Sequence, residues 1–530
     1  MAHVIGIDVG TGSARAGVFD ASGQLLGSGK REIALWQDAG GIAEHSSDDI
    51  WAAVCAATRA AMAEAGVTPE EIKGIGFDAT CSLVVLGPDG APLPVGPSGD
   101  PARNIIVWMD HRATDQARRI NAGGHEVLRY VGGRISPEME TPKLLWLAER
   151  LPATFAGAAQ FLDLADFLTF RATGSLARSS CTVTCKWTYL AHESRWDADY
   201  FRAIGLGALA DEGFARIGTS IVAPGTPLAD GLTVQAAAEL GLRPGIAVGA
   251  GLIDAHAGGI ATAGITGDAP GTLAYVFGTS SCTMTTTAAP VFVPGVWGPY
   301  FGAMVAGEWL NEGGQSAAGA AIAHLLEMHP AAATEAAVAR DLGLSLPQHL
   351  ARCAAADGLS QAVTLAAGLH VVPEFLGNRA PFADPEARAV IAGLGMEKDR
   401  ASLVALYVAG LCGIGYGLRQ IVETQARHGA PVARIAISGG AGQEDLVRQI
   451  LADATGLPVL APETAEPVLL GAAMLGAMAG GVHRDMRAAM AAMARPGQSY
   501  QPATGALAAL HDHRYAGFTC LQSLAREIRA

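Results

Sequence analysis

An apolar strand, Val4-Ile5-Gly6-Ile7, runs into Asp8 and the small-residue turn Gly10-Thr11-Gly12-Ser13, and a second strand returns from Ala14 to Phe19. The pattern recurs roughly half a chain later. There Thr272 to Phe277 leads into Gly278-Thr279-Ser280-Ser281 and a Thr-rich strand, Cys282 to Thr287. Each turn joins two strands instead of leading a strand into a helix. Glycines at Gly10 and Gly12 let the backbone take positive φ and come close to a ligand, so that consecutive N–H groups can point at a phosphate. The first turn lacks the Gly-Lys-Ser/Thr ending of a Walker-type loop. Asp8, at its strand end, can hold Mg2+ or its waters beside the phosphates, the alternative being a solvated carboxylate on an ordinary hairpin.

A third turn, Ser438-Gly439-Gly440-Ala441-Gly442, follows the apolar run Arg434 to Ile437 and precedes an amphipathic helical pattern from Asp445 to Ala454. A glycine turn at a helix N-terminus can hold the rest of a nucleotide. Two related hairpins and one such turn predict a duplicated α/β fold with one phosphate hairpin per lobe.

The 530 residues suffice for two or more domains with full cores, and half of them are apolar. The balance of 36 basic and 50 acidic residues gives a net charge of −14, which argues against nucleic acid or an anionic membrane as the main partner. Strand residues begin at His3, so no signal peptide is read at the start. The uncharged apolar stretch Ala401 to Leu418 approaches membrane-span length, contains four glycines and reads as a helix packed between two lobes more readily than as a membrane span. Eight scattered cysteines in a chain of this size favour a reducing cytoplasm. Cys181-x3-Cys185 and His511-x-His513 each lack a second half at metal-site spacing.

Strand-like runs fall at 3–8, 14–19, 24–34 and 72–77. A helix is expected from Ser47, as its cap, to Ala65, with Asp48 and Asp49 in the first turn where the dipole favours acids. Helical patterns also fit Glu138–Glu149 and the region around Phe161–Phe170. After residue 270 the order repeats, with strands near 272–277, 282–287, 300–306 and 308–311 and a helix over about 315–327. Residues beyond about 485 are rich in Ala and Met and read as helical.

These motifs together resemble the FGGY carbohydrate kinases. The resemblance rests on the two hairpins, the segment Gly249-Ala250-Gly251-Leu252-Ile253-Asp254-Ala255-His256, the turn Ser438–Gly442, and Glu374-Phe375-Leu376-Gly377-Asn378-Arg379-Ala380-Pro381. It runs from about residue 3 to 480; Lys143-x-x-Trp146 is similar to part of the family's N-terminal signature. Where the family name leads one to expect Phe-Gly-Gly-Tyr, this chain has Phe375-Leu376-Gly377-Asn378. The resemblance implies two actin-like ATPase lobes of the ribonuclease-H type, with ATP and sugar in the cleft between them. The lobes would span 1–262 and 263–484, followed by a helical extension over 485–530. Within the family, Thr80-Cys81-Ser82-Leu83-Val84 looks like a motif of D-ribulose kinases. Lys186 and the Trp108-Met109-Asp110-His111 run resemble those of pentulose kinases generally, and ribitol kinases are close neighbours.

Phosphoryl transfer to a sugar hydroxyl needs a carboxylate near the attacking oxygen and charge stabilisation on the moving group. The resemblance favours Asp254 as that general base, against a helix N-cap before Ala255–Ala263; both roles are compatible. It sets Asp8 as the organiser of Mg2+, with Thr11, Gly12, Ser13 and Arg15 near the phosphates, although Arg15 also fits a surface charge at a strand end. In the second lobe Gly278 and Thr279 would meet the β/γ-phosphates. Gly319 matches a position beside the nucleotide, and Gly440 and Glu444 match positions beside the adenosine. Glu444 is equally a first-turn acid for its own helix. A polyol needs several fixed donors and acceptors, which Thr80, Ser82, Lys186, Asp254 and Glu312 can supply. The alternative for Lys186 is a solvated edge-strand lysine. Asp110 touches the sugar or braces its loop, and Cys81 is a small packing residue lining the sugar site. The expectation is an ATP- and Mg2+-dependent kinase acting on the terminal C5 hydroxyl of D-ribulose. Ribitol kinase is the alternative, and a non-catalytic sugar- and ATP-binding regulator is the reading from another class. Association as a homodimer is left open.

Overall fold

The computed structural model describes residues 2–267 and 271–529. The first sheet has His3–Val9 at its centre, antiparallel to Ser13–Asp20 and parallel to Ile72–Ala79, with Leu25–Glu32 beyond the hairpin. The second repeats this plan. Thr272–Phe277 is antiparallel to Ser281–Thr287 and parallel to Arg434–Ser438, and Trp309–Gln315 extends the hairpin side. Both central strands are bordered on both sides, which is why they read as continuous apolar runs. A third, five-stranded sheet in the first lobe carries Leu83–Leu86 beside Gln160–Asp163.

The two large sheets are joined by two helices that cross between them. Asp254–Gly264 follows the first sheet's short strand Leu252–Ile253 and packs on Thr272–Phe277 of the second. Pro467–Ala479, late in the second lobe, returns to pack on His3–Val9 and Ile72–Ala79 of the first. Small residues permit this. A Cβ at Gly6, Gly74 or Gly76 would strike the backbone carbonyls of Leu469, Gly476 or Ala472, and one at Gly471 would strike that of Ala257. A division at 262/263 therefore cuts the last turn of the crossing helix Asp254–Gly264.

Several local expectations are corrected. The helix Ser47–Ala65 has the expected bounds, but its cap is Ser46, whose Oγ accepts from the Asp49 N–H at 3.3 Å; Gly66 closes it in the left-handed region. Residues 160–163 form a strand, and the helix starts only at Leu164 because Asp163 caps it. The helix expected from Glu138 starts at Glu140 and leaves Glu138 free of it. In the second lobe the strand continues through Gln315, pairing with Ser281, so the next helix is Gly319–Glu327.

The long apolar helix, Arg400–Arg427, packs inside the second lobe, not between lobes. It is the one helix among the described residues long and apolar enough to cross a membrane, and 78% of its most apolar window is buried. The tail is not purely helical: Pro496–Tyr500 pairs antiparallel with Val459–Pro462 as the edge strand of the second sheet. The helix Gly505–Glu527 then lies over the loop around residues 367–384. Arg514 donates to the carbonyls of Ala367 and Leu369 (2.6 and 2.7 Å), and Gln522 donates to Glu374 Oε1 (2.6 Å). His511 bonds Tyr416 (3.0 Å), and burial pulls its pKa down to about 4; the position is structural.

Gly76→Val would place a branched side chain against the Ala472 carbonyl. Overpacking of this kind costs about 1–3 kcal/mol. The expected outcome is a lower urea midpoint with an unchanged m-value.

Candidate active site

Both hairpin turns open onto one interlobe cleft of about 470 Å³, within the range of small-molecule sites. At the first turn, the Gly10 N–H donates to the Ser13 carbonyl at 3.0 Å. Neither Gly10 nor Gly12 has positive φ, contrary to expectation. A Cβ at Gly12 would meet no atom within 4 Å, and at Gly10 only the Ser13 carbonyl at 3.8 Å. Space on the cleft side, not backbone conformation, is therefore what these glycines provide. Thr11 Oγ1 accepts from Trp108 Nε1 at 3.0 Å, which ties the turn to the cleft wall. Ser13 and Arg15 also line the cleft, but the Arg15 guanidinium is held by Asp8 and by Glu466 (2.8 Å).

The nucleotide-side glycines converge in the second lobe. The Gly319 N–H donates to the Gly278 carbonyl at 3.0 Å, and the Ala318 and Ala320 N–H groups donate to the Thr279 carbonyl. A Cβ at Gly319 would lie 2.6 Å from the Gly278 oxygen and 3.2 Å from Ala441 Cβ, so hairpin, helix start and glycine turn fit only with glycine there. The turn needs its positive φ at Gly439 (95°), not at Gly440. Glu444 is the N-cap residue of the helix Asp445–Thr455, though its side chain makes no capping bond.

Three carboxylates meet beside the first turn. Asp8 and Asp78 are register partners on parallel strands, and Asp254 is the first residue of the crossing helix, where its Oδ1 accepts from the Ala255 N–H at 2.7 Å. Asp254 is thus N1, not N-cap. Burial and the Asp8 charge raise its pKa to about 6 against the opposing Ala255 N–H, His256 and Lys186. Asp78 is fully buried, and neither oxygen has a partner donor among the described residues; burial and Asp8 push its pKa well above the carboxylate range. An oxygen-only donor set with this mutual repulsion fits a hard divalent cation such as Mg2+.

Across the cleft, Lys186 ends the helix Ser180–Lys186; it is buried and is no edge-strand lysine. Its Nζ lies 4.8 Å from the centre of the Trp297 ring. Burial opposes its charge, but Glu312 more than compensates and raises its pKa. Glu312, on Trp309–Gln315, is buried too. Despite burial, Lys186 and His256 hold its pKa down to about 2, so it is ionised at any working pH. Thr80 and Cys81 line the same wall, and burial pushes the Cys81 thiol up, leaving it un-ionised.

Two expected sugar ligands have other partners. Asp110 is fully buried: Oδ2 accepts from the Ala43 N–H (2.7 Å), and both oxygens accept from Arg112 (2.7–2.9 Å). It braces its loop. Ser82 is behind the wall, where its Oγ accepts from the Trp108 N–H at 3.1 Å and lies 3.1 Å from Thr80 Oγ1, so it orients Thr80. Conversely, sequence reasoning gave no role to Glu138, Trp297 and Arg379, which line the cleft. Arg379 lies over Trp297 (5.7 Å to its centre), and the loop that carries it is tied through Asn378 to Glu374 (2.6 Å) and thence to Gln522 of the C-terminal helix. A lone cation amid the small and apolar residues of 375–381 was the available signal.

Residues 3–261 match the N-terminal domain, and 273–480 the C-terminal domain, of the FGGY family of carbohydrate kinases. The human "FGGY carbohydrate kinase domain-containing protein" is 44% identical over 515 residues, covering 94% of this chain and 92% of its own. The D-ribulokinase of Saccharomyces cerevisiae is 38% identical over 510 residues, 90% of this chain and 71% of its own. Among solved structures, the xylulose kinase of Rhodospirillum rubrum superposes with a TM-score of 0.81 at 24% identity over 99% of both chains, a likeness of fold. Two duplicated lobes closing on one carboxylate-lined cleft, matched by both family domains over most of its length, place this protein in the FGGY family of carbohydrate kinases, which transfer a phosphoryl group from ATP to a sugar hydroxyl.

Proposed function

We propose that the sugar is a pentulose, D-ribulose, phosphorylated at its terminal C5 hydroxyl to give D-ribulose 5-phosphate and ADP. The observation that carries this reading is that Asp254 shares one cleft, which both hairpin turns enter, with the buried cation Lys186 and the ionised carboxylate of Glu312. The Thr80–Val84 run and the likeness to a protein named D-ribulokinase support the choice of sugar.

In this reading Lys186, a pure donor, takes the ketone or a hydroxyl oxygen, and ionised Glu312 accepts a hydroxyl proton. Thr80 adds a hydroxyl contact. Asp254 accepts the proton of the attacking hydroxyl as the phosphoryl group arrives; its half-buried carboxylate is pre-set near the pKa such a base needs. Backbone N–H groups of the turns at Thr11–Ser13 and at Thr279 hold the phosphates, the Gly278 N–H being taken by the Ser280 carbonyl (2.9 Å), with Gly319, Gly440 and Glu444 beside the nucleoside. Mg2+, held by Asp8 with Asp78 alongside, would neutralise charge on the β- and γ-phosphates. Closure of the cleft excludes water, so that ATP is not hydrolysed. The free thiols among the described residues suit a reducing cytoplasm.

Initial rates with D-ribulose, L-ribulose, ribitol, D-xylulose and glycerol, read as ADP release, test the substrate. D-ribulose is expected to give the highest kcat/KM; a higher value for ribitol would move the assignment to a pentitol kinase, and for glycerol or D-xylulose would overturn it. Asp254→Ala is expected to lower kcat by about 10²–10⁴-fold while ATP binding, followed by calorimetry, is retained. Near-normal turnover would remove Asp254 from the base role. The base must be ionised, so kcat/KM for the sugar should be level above the Asp254 pKa of about 6 and fall as pH drops through it.

A further inference from the structure

Two residues beyond Asp254 on the crossing helix, His256 is fully buried between a thiol and a carboxylate. Its Nδ1 lies 3.1 Å from Cys181 Sγ, and its Nε2 lies 3.3 Å from Glu312 Oε2. The Ile253 N–H reaches the same sulfur at 3.5 Å. The proton shared by Cys181 and His256 can rest on sulfur or on Nδ1. In both arrangements Nε2 carries a hydrogen toward Glu312, an assignment that follows from Glu312 being an ionised acceptor. Burial lowers the imidazole pKa, but the sulfur on one side and the carboxylate on the other raise it to about 10.

We propose that His256 is a positioning residue for the sugar: by donating Nε2–H to Glu312 Oε2 it fixes the rotation of that carboxylate, and Cys181 fixes the ring in turn. Oε1 of Glu312 is then left for a sugar hydroxyl. The inference rests on the assignment of Glu312 to the sugar. It also explains why a histidine and a cysteine, from two helices far apart in the first lobe's sequence, are buried against each other beside an acid of the second lobe. The competing reading is a metal held by Cys181, Cys185 and His256, whose ligand atoms lie within 4.8 Å of one another. Zinc, at about 2.3 Å from sulfur and about 2.0 Å from nitrogen in a tetrahedral site, would hold those two atoms roughly 3.5 Å apart. The observed 3.1 Å is a direct hydrogen bond.

The test is steady-state kinetics on the full chain with D-ribulose and ATP for the wild type, Glu312→Gln, His256→Ala, His256→Gln and the His256→Ala/Glu312→Gln double variant. Loss of a hydrogen bond to a charged group predicts that His256→Ala raises the D-ribulose KM about tenfold or more, with the ATP KM unchanged. His256→Gln, whose amide nitrogen replaces Nε2, should recover most of the loss, and the double variant should be no worse than Glu312→Gln alone. The proposal is overturned if the two losses multiply, if Gln rescues nothing, or if both KM values rise together with a lowered Tm. One equivalent of zinc in the purified wild type, absent from Cys181→Ala, also overturns it. If Glu312→Gln itself leaves the D-ribulose KM unchanged, Glu312 is not a sugar ligand and the parent reading fails first.

Discussion

The whole arrangement depends on two small-residue helices passing between the sheets at backbone contact. Asp254–Gly264 and Pro467–Ala479 cross where Gly471 lies against the Ala257 carbonyl, and each helix packs on the sheet of the other lobe. Interiors are close-packed, so one added methyl at such a crossing has nowhere to go. The crossing sets how far apart the two hairpin turns stand. It also delivers Asp254, from the first turn of one crossing helix, to the cleft, and His256 to a buried place behind it.

Charge divides that cleft into two halves. Beside the first hairpin, Asp8, Asp78 and Asp254 repel one another, which is costly in the absence of a cation and useful in its presence. Elsewhere in it, Lys186 and Glu312 stabilise each other's charge, and His256 bonds Glu312 from behind. One half is thus suited to a phosphate-bound cation and the other to a neutral polyol with many hydroxyls.

The hairpins were legible in the sequence because their information is local: an apolar run, an acid, a small-residue turn and a return strand. The Ser47–Ala65 helix was legible for the same reason, with a serine at its start and Asp48 and Asp49 in its first turn. What failed needed tertiary knowledge. Pro496–Tyr500 has no alternating apolar pattern and is a strand only because Val459–Pro462 offers it an edge. Asp110 and Ser82 looked like sugar ligands by motif, yet backbone N–H groups and Arg112 take their oxygens first. Of the two reasons for a glycine at Gly12, the structure keeps open space on the cleft side and drops positive φ. Arg379 reaches the cleft from a loop, and Trp297 from the start of the short strand Trp297–Phe301, and no periodicity records either course.

The helix Gly505–Glu527 has a consequence for the order in which the molecule is finished. Arg379 reaches the cleft on a loop secured by Glu374, and Glu374 is held by Gln522, 148 residues later in the chain. During translation both hairpins, the crossing helices and Lys186 emerge from the ribosome before that clasp does. A nascent chain can therefore own both hairpin turns and the carboxylates beside them while one wall of the cleft still lacks its support. Completion of that wall is, on this architecture, among the last steps by which the growing polypeptide builds its cleft.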